Sequence, residues 1–389
     1  MTRAGFVSDP VPSVTRGRMG PIRPFVEDDI PQVARLHRTV FRPGGRPDGA
    51  ELDSYRAYFT RVFLDTPARD PRLSSLVYEE DGGRITGFVG VVPRRMSMNG
   101  QHLQAAISSQ FVVDPPSRAG LVAVRLAKAF LDGPQDLSFS DEATDVSRKM
   151  WEGLGGTTAL LHSLHWTRPL RPARLVLSLV RTRGSLAPLA VCADPLARMV
   201  DWLATRIPRS HLYQARPPVS ADDLREETFL MGLPEFAGVG SLRVEYDDRT
   251  FRWQLERAEQ RKGGGHVHKA VIRNGQTIMG WYLYHLDRRG IADVLQIAAT
   301  PDSIREVLAQ LFYQAWRQGA LAVSGRVDPR FLQALSDTYC LFHRRGPWLL
   351  IHARKPELLQ AFQNGDVFLS RFDGEWCLGF PPSMARSTP

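Results

Sequence analysis

The sequence predicts an α/β protein (α+β, with mixed sheets) that contains two domains of similar plan. Apolar residues alternate in some segments, as in strands, and recur about every 3.6 residues in the segments between them, as in helices. The length of 389 residues suits two or three domains. Related short sequences occur in the two halves, Ile-Thr-Gly-Phe at 85–88 and Ile-Met-Gly-Trp at 278–281, which suggests a duplication.

Residues 20–170 predict one compact domain with the element order β-α-α-β-β-β-α-β-α-β. Turn sequences separate consecutive strands at 81–83 (Asp-Gly-Gly) and 99–100 (Asn-Gly). Residues 1–19 show no such pattern and predict a loose N-terminal tail. The predicted strands are 22–25, 75–80, 85–98, 103–114, 137–140 and 159–166, and the predicted helices are 30–41, 52–64, 120–131 and 145–154.

Residues 171–240 predict a basic, partly helical linker. The overlapping segment 167–210 contains eight Arg and two Asp, so it carries a net charge of +6 out of +9 for the whole chain. The apolar runs 175–180 and 196–203 lie between these charges and predict short amphipathic helices. Such helices either pack between two domains or lie on an anionic membrane, and the sequence leaves both open.

Residues 241–389 predict the second domain. Near its end, Asp373-Gly374 stands between apolar runs and predicts a closing β-hairpin. Alternatively, the C-terminal cluster of Arg371, Asp373, Glu375 and Trp376 extends into a cleft between the domains. The predicted strands are 267–273, 278–286, 291–298, 320–325 and 348–352, and the predicted helices are 303–318 and 329–335.

The composition narrows the classes of protein. The positive charge is almost wholly Arg, which reflects either genome base composition or an anionic partner such as phosphate, nucleic acid or lipid headgroups. Cys192, Cys340 and Cys377 lie far apart and predict neither a disulfide framework nor a zinc site. Because no apolar leader and no uncharged apolar run of about 18 residues is found, the chain is expected to be soluble and cytoplasmic.

A predicted strand that ends in Phe111-Val112-Val113 leads through a short loop into a predicted helix. This order resembles the GCN5-related N-acetyltransferases, in particular their bacterial tandem-domain members. The resemblance implies two acyl-CoA N-acyltransferase-like domains, the second degenerate. It also implies that the backbone of Val112 and Val113 binds the pantetheine arm of coenzyme A. The helix N-terminus would hold the pyrophosphate through Arg118, Ala119, Gly120, Leu121, Val122 and Ala123, with Leu121 where the family has a Gly.

The resemblance also directs attention to the catalytic groups. Trp151 takes the place of the family's Tyr that often protonates the leaving thiolate, and Trp has no acidic hydroxyl. Residues 85–113 contain neither Asp nor Glu, so Asp141 and Glu142, which follow the next strand, are the candidate general bases. Asp141 alternatively caps the following helix. Two further pairs, His162 with His165 and His266 with His268, predict neither a shared catalytic site nor a metal site.

The function implied by the resemblance is N-acyl transfer, N-acetyl transfer in particular. An acyl group would pass from acetyl-CoA or another acyl-CoA directly to a small-molecule or precursor amine, without a metal. The loop 299–303 has no Gly and contains an acid, so the second half is expected to bind no coenzyme A. Two alternatives are a non-catalytic ligand-binding or scaffold protein, and an acyl or aminoacyl transferase acting on cell-envelope precursors. No specific nucleic-acid partner is expected, peripheral contact with an anionic membrane is left open, and the oligomeric state is unknown.

Overall fold

The computed structural model describes residues 20–41, 48–115, 119–181, 192–208, 210–238, 240–260 and 265–381. The predicted N-terminal tail and Arg118 therefore lie outside the described residues. Sixteen strands are present in the described part of the chain: β1 Ile22–Pro24, β2 Leu76–Glu80, β3 Arg84–Met98, β4 Gln101–Val113, β5 Leu137–Ala143, β6 Thr157–Thr158, β7 His165–Pro169, β8 Ser220–Asp223, β9 Leu242–Val244, β10 His266–Asn274, β11 Thr277–Leu286, β12 Ile291–Ala299, β13 Ala322–Arg326, β14 Leu341–His343, β15 Trp348–Ala353 and β16 Val367–Phe368.

Helices cover both sheets. Thr144 caps one of them, since its Oγ1 accepts a hydrogen bond from the backbone N–H of Ser147 (3.2 Å), so the alternative that Asp141 forms this cap is wrong. None of the described helices is both long and apolar enough to cross a membrane. The α-helices are α1 Ile30–Phe41, α2 Gly49–Phe59, α3 Ala119–Leu131, α4 Asp145–Gly153, α5 Pro172–Arg181, α6 Asp194–Ala204, α7 Glu226–Ala237, α8 Asp248–Glu259, α9 Ile304–Arg317, α10 Leu332–Asp337, α11 Pro356–Asn364 and α12 Glu375–Leu378.

The strands form two mixed sheets, which confirms the predicted fold class. The first sheet has the order β1-β2-β3-β4-β5-β15-β6, with β9 beside β3 and β16 beside β9. The second has the order β14-β7-β13-β12-β11-β10-β8. In each sheet a long hairpin is followed by a parallel pair, β4 with β5 and β12 with β13, as a duplication predicts.

The two halves of the chain exchange strands. β15 comes from the second half, yet it pairs antiparallel with β5 in the first sheet, with Ile351 opposite Phe139. Conversely β7 pairs antiparallel with β13 in the second sheet, with Arg168 opposite Val323. Both sheets therefore contain strands from both halves, and the predicted domain limits at 170 and 240 stay predictions.

Two predictions about single elements are wrong. The predicted strand 159–166 is instead a 3-10 turn, Leu161–Ser163, followed by β7, which joins the other sheet. The predicted C-terminal hairpin is instead β16 followed by turns and α12. In both segments apolar side chains are buried, Trp166 in the core of the second sheet and Phe372 in a separate cluster with Phe229, Phe251 and Trp281. Alternation along a segment indicates burial but does not identify the strand that it pairs with.

Candidate functional site

β4 and β5 pair along only part of their lengths. Their parallel register consists of Ala105 with Leu137, Ala106 with Ser138, and Ile107 with Phe139. Beyond these pairs β4 continues to Val113 and β5 to Ala143 without bonding to each other, so the two strands form an open wedge. A cavity of about 240 Å³ lies there, lined by Phe41, Ser108, Ser109, Gln110, Phe111, Ser140, Glu142, Ala143, Thr144, Ser147, Met150, Trp151, Glu375, Trp376, Gly379 and Phe380.

A β-bulge on β4 faces this cavity. The register between β3 and β4 passes from Phe88–Val112 to Gly90–Ser109, so Val89 lies opposite two residues, Gln110 and Phe111. Gln110 has φ of 51°, an unfavourable conformation for a residue with a side chain, and such conformations persist where the surroundings enforce them. A bulge also leaves the backbone groups of its extra residue outside the strand ladder, where a ligand can bind them.

The Gln110 side chain explains how the bulge is held. Its Nε2 donates to the carbonyl oxygen of Gly379 (2.9 Å), and its Oε1 accepts from His37 Nε2 (2.6 Å). His37 Nδ1 in turn lies 3.1 Å from the Tyr55 hydroxyl, which donates to it. Burial lowers the pKa of His37 to about 4, so this imidazole is neutral and its Nε2 carries the proton. The bulge is thus tied to α1, α2 and the C-terminal segment.

The predicted pyrophosphate loop is at the N-terminus of α3, directly after β4. Gly120 and Leu121 are exposed in its first turn, whereas Val122 is buried and Ala123 half-buried. Nothing would contact a Cβ at position 120, so the backbone there is open to a ligand. Val122 instead packs over Gly87, where any Cβ would collide with it. Whether these residues, Arg118, Ala119, Val112 and Val113 bind coenzyme A stays a prediction.

Asp141 and Glu142 lie at the end of β5, but only one of them lines the cavity. Asp141 is buried; its Oδ2 forms an ion pair with Arg326 (2.9 Å), and its Oδ1 accepts a hydrogen bond from the Glu375 backbone N–H (2.6 Å). Both of its oxygens are therefore occupied by protein donors. Glu142 does line the cavity, with Oε1 3.4 Å from Arg371. Their roles as bases stay predictions.

Glu375 enters the cavity from the C-terminal segment. Of the C-terminal cluster, Glu375 and Trp376 line this cavity of the first sheet, and a cleft between the domains stays a prediction. Glu375 Oε2 accepts three hydrogen bonds, from Ser140 Oγ (2.6 Å) and the backbone N–H groups of Asp141 (3.0 Å) and Glu142 (3.1 Å). Burial raises the pKa of Glu375, and the negative charge of Asp141 raises it further. No described residue donates a hydrogen bond to the other oxygen, Oε1.

The backbone beside Glu375 requires a glycine. A Cβ at position 374 would overlap the carboxylate of Asp141, so only Gly allows this close approach. Gly374 is the sequence signal of this approach, but Asp373-Gly374 is equally typical of a hairpin turn. The sequence does not predict Glu375 at the end of β5, because this contact joins residues more than 230 positions apart.

The other singled-out side chains do not form a second site. Trp151 is buried, lines the cavity and packs against Phe130 at 5.9 Å. His162 lies in the 3-10 turn, edge-on to Phe362, whereas His165 stacks on His343 in the second sheet, so the two do not lie on one strand. In the part of the chain that the structure describes, no three His, Cys, Asp or Glu side chains are placed to hold a metal ion.

The second sheet contains a corresponding wedge, but it is filled. β12 and β13 also share only three pairs, from Ile291–Ala322 to Asp293–Ser324, and β12 has its bulge at Leu295. The chain's own segment 370–372 occupies the wedge: Phe372 N–H donates to the Leu295 carbonyl (3.0 Å), and Gln296 Nε2 donates to Ser370 Oγ (3.3 Å). The remaining cavity is only about 40 Å³.

Solved structures share this arrangement of strands and helices. A conserved protein of unknown function from Enterococcus faecalis, described as a probable N-acyltransferase, superposes with a TM-score of 0.54 at 12% identity, over 88% of this chain and 73% of that one. A GCN5-related N-acetyltransferase from Anabaena variabilis gives 0.53 at 12% identity, over 85% and 72%. The chain has the fold of the GCN5-related N-acetyltransferases.

A third structure agrees. The GCN5-related N-acetyltransferase from Kribbella flavida gives a TM-score of 0.50 at 13% identity, over 85% of this chain and 70% of that one. No protein-family model matches the sequence, and no curated protein matches it either. At these identities the likeness establishes the fold, and the chemistry has to be argued from the residues of this chain.

Proposed function

We propose that the protein is an N-acyltransferase that moves an acyl group, acetyl in the simplest case, from an acyl-CoA thioester to an amine. The observation that carries this proposal is the open wedge between β4 and β5. A free strand edge and a buried carboxylate lie around one cavity there, and the same strand leads through a short loop to the N-terminus of α3. The strand edge would bind the amides of coenzyme A and the helix N-terminus its phosphates. The carboxylate would accept the proton that the attacking amine loses.

The donor would bind along β4 and α3. The edge of β4 beyond Ile107 is free of β5, so its backbone N–H and C=O groups can pair with the amides of a pantetheine arm as an added strand would. The first-turn N–H groups of α3, at Ala119, Gly120 and Leu121, have no partner within the helix and favour an anion there. Leu121 projects into solvent and leaves these groups accessible.

The chemical step needs one proton acceptor and one site for developing negative charge. The amine nitrogen attacks the thioester carbonyl carbon, the new C–N bond forms, and the C–S bond breaks to release the thiolate of coenzyme A. The proton lost by the amine would pass to Glu375 Oε1. A backbone N–H at the Gln110 bulge would donate to the carbonyl oxygen as it becomes negative. Trp151 cannot donate a proton, so water would protonate the thiolate.

Glu375 suits this role better than its neighbours do. A general base works best when its pKa is close to the operating pH, and burial moves the pKa of Glu375 in that direction. Asp141 has both oxygens occupied by Arg326 and by the Glu375 backbone, and Glu142 faces the Arg371 guanidinium. These two acids would instead position Glu375 through the backbone N–H groups that they present to it.

The second half would act as the support of this site. Arg371, beside Phe372 in the filled wedge, lies 3.4 Å from Glu142 and 3.5 Å from Asp293 on β12. Four residues later the same segment delivers Glu375 to the first wedge. A wedge occupied in this way has no free edge for a second pantetheine arm, which supports the expectation that this half binds no coenzyme A.

Calorimetric titration of the full chain with acetyl-CoA and with free coenzyme A tests the donor site. We expect one site per chain at micromolar strength, followed by thiol release when amines are screened as acceptors. Absence of binding at millimolar coenzyme A would contradict the proposal. It would favour a non-catalytic protein built on this fold, a function to which Leu121 and Trp151 at the family's Gly and Tyr positions also point.

A further inference from the structure

The helical hairpin of α5 and α6 presents an apolar surface to solvent. No residue of α5 is buried, and only Ala197 and Asp201 are buried in α6. Large apolar side chains are exposed along it instead, by 52% at both Met199 and Trp202. The others are Val176, Leu179, Leu196, Val200 and Leu203, with Ile207 just beyond α6. Contiguous exposed apolar surface of this kind marks a place where a protein binds something else.

The charges around this surface are unbalanced. Among the described residues, α5, α6 and the flank to Ile207 contain four Arg, at 174, 181, 198 and 206, and two Asp. Asp201 is buried and accepts from the backbone N–H groups of Ala173 (2.9 Å) and Arg174 (3.1 Å), so it caps α5. Asp194 is shared by Arg181 (3.3 Å) and Arg198 (2.7 Å). Arg174 and Arg206 have no carboxylate of a described residue within ion-pair distance.

We propose that the α5–α6 hairpin docks on an anionic lipid bilayer. The apolar side chains would enter the boundary between headgroups and acyl chains, and the unneutralised Arg side chains would bind lipid phosphates. The Arg206 guanidinium lies over the Trp202 ring at 4.1 Å, so an interfacial aromatic and a phosphate-binding group stand side by side. A second copy of the chain is the less favourable occupant, because a two-fold contact would place one basic surplus against another.

Vesicle co-sedimentation of the full chain tests this proposal. Vesicles would contain phosphatidylcholine and phosphatidylglycerol in equal parts, or phosphatidylcholine alone. We expect binding to the anionic vesicles, much weaker binding to the neutral ones, and release by salt, since about 1 M salt shortens the screening length to about 3 Å. The double variant Met199→Asp/Trp202→Asp should weaken binding about ten-fold or more, because it places two carboxylates against lipid phosphates.

Met231→Asp is the matched control. Met231 is 83% exposed on α7, so the variant introduces one carboxylate, against two in the double variant, at an exposed apolar residue outside the hairpin, and it should bind as wild type does. Equal binding to both kinds of vesicle, no binding, or an equal loss in Met231→Asp would overturn the proposal. So would concentration-dependent dimers that Met199→Asp/Trp202→Asp abolishes, because the surface would then be a contact between copies of the chain.

Discussion

Replacing Glu375 by Gln removes one proton acceptor and little else. The three groups that donate to Oε2, from Ser140, Asp141 and Glu142, can donate equally to the amide oxygen of Gln, so the segment should keep its place. The amide nitrogen would occupy the Oε1 position, where no described donor is lost. If Glu375 is the general base, kcat should fall by about 10²–10⁴, the usual contribution of general base catalysis.

The pH dependence separates a base from a structural residue. Only the carboxylate form accepts a proton, so wild-type kcat should rise as pH increases through the raised pKa of Glu375 and then level off. Glu375→Gln should lose this rise.

The stability of the folded protein should change with pH in the opposite sense. A carboxyl whose pKa is raised by folding stabilises the protein below its unfolded pKa, and that stabilisation is lost as pH increases through the folded pKa. Glu375→Gln should therefore be the more stable protein at high pH.

The assay is thiol release from acetyl-CoA at saturating amine, between pH 5.5 and pH 9, beside thermal unfolding over the same range. Glu142→Gln is the matched control, since it neutralises the other carboxylate of the cavity. Wild-type kcat and an unchanged rise with pH in Glu375→Gln would refute the assignment. If Glu142→Gln alone lost activity, the base would be Glu142.

Three further predictions follow from the same contacts. Leu121→Glu should weaken coenzyme A binding about ten-fold by placing a carboxylate at the α3 N-terminus, whereas Val124→Glu, exposed one turn further along, should change it less; calorimetry measures both. Asp141→Asn should lower the free energy of unfolding by about 3–5 kcal/mol, because it leaves the buried charge of Arg326 uncompensated. Asp114→Asn, at the exposed ion pair with Arg84, should lower it by less than about 1 kcal/mol, and chemical denaturation measures both. Burial lowers the pKa of His37 to about 4, so its contribution to stability should decline as pH falls from about 6.5 towards 4. His37→Gln should flatten this decline in thermal unfolding, and an equally steep decline in the variant would contradict the neutral imidazole.

Local patterns predicted the elements well and their partners less well. The strand predicted at 85–98 and the helix predicted at 120–131 match β3 and α3 within one residue, and the two elements bury apolar residues against each other. The exchange of β7 and β15 carries no local signal. Leu349 and Ile351 are apolar and would fit the core of either sheet. Only the packing of the whole chain places them in the core of the first sheet.

The candidate site divides in the same way. The order β4–loop–α3 carried the resemblance, which implies that the end of β4 and the N-terminus of α3 bind coenzyme A, and the wedge lies along that strand. The base was sought at the end of β5, and the structure brings a third carboxylate, Glu375, to the same place. No motif spacing encodes a contact between residues 141 and 375. Gly374 is the one local sign of this contact, because a side chain there would overlap Asp141. A tight turn also favours Gly, so the residue alone does not distinguish the two.

The segment 370–375 contacts both wedges. In the second wedge the Phe372 N–H donates a hydrogen bond to the Leu295 carbonyl. A pantetheine amide would need a strand-edge carbonyl of this kind. Three residues later, Glu375 stands in the first wedge, held by the N–H groups of Asp141 and Glu142. Because the segment is one short piece of chain, withdrawing it from the second wedge would withdraw the carboxylate from the first. If Glu375 is the base, the segment that closes the second wedge is therefore the one that supplies the base to the first, and the second half is needed for catalysis even if it binds no coenzyme A.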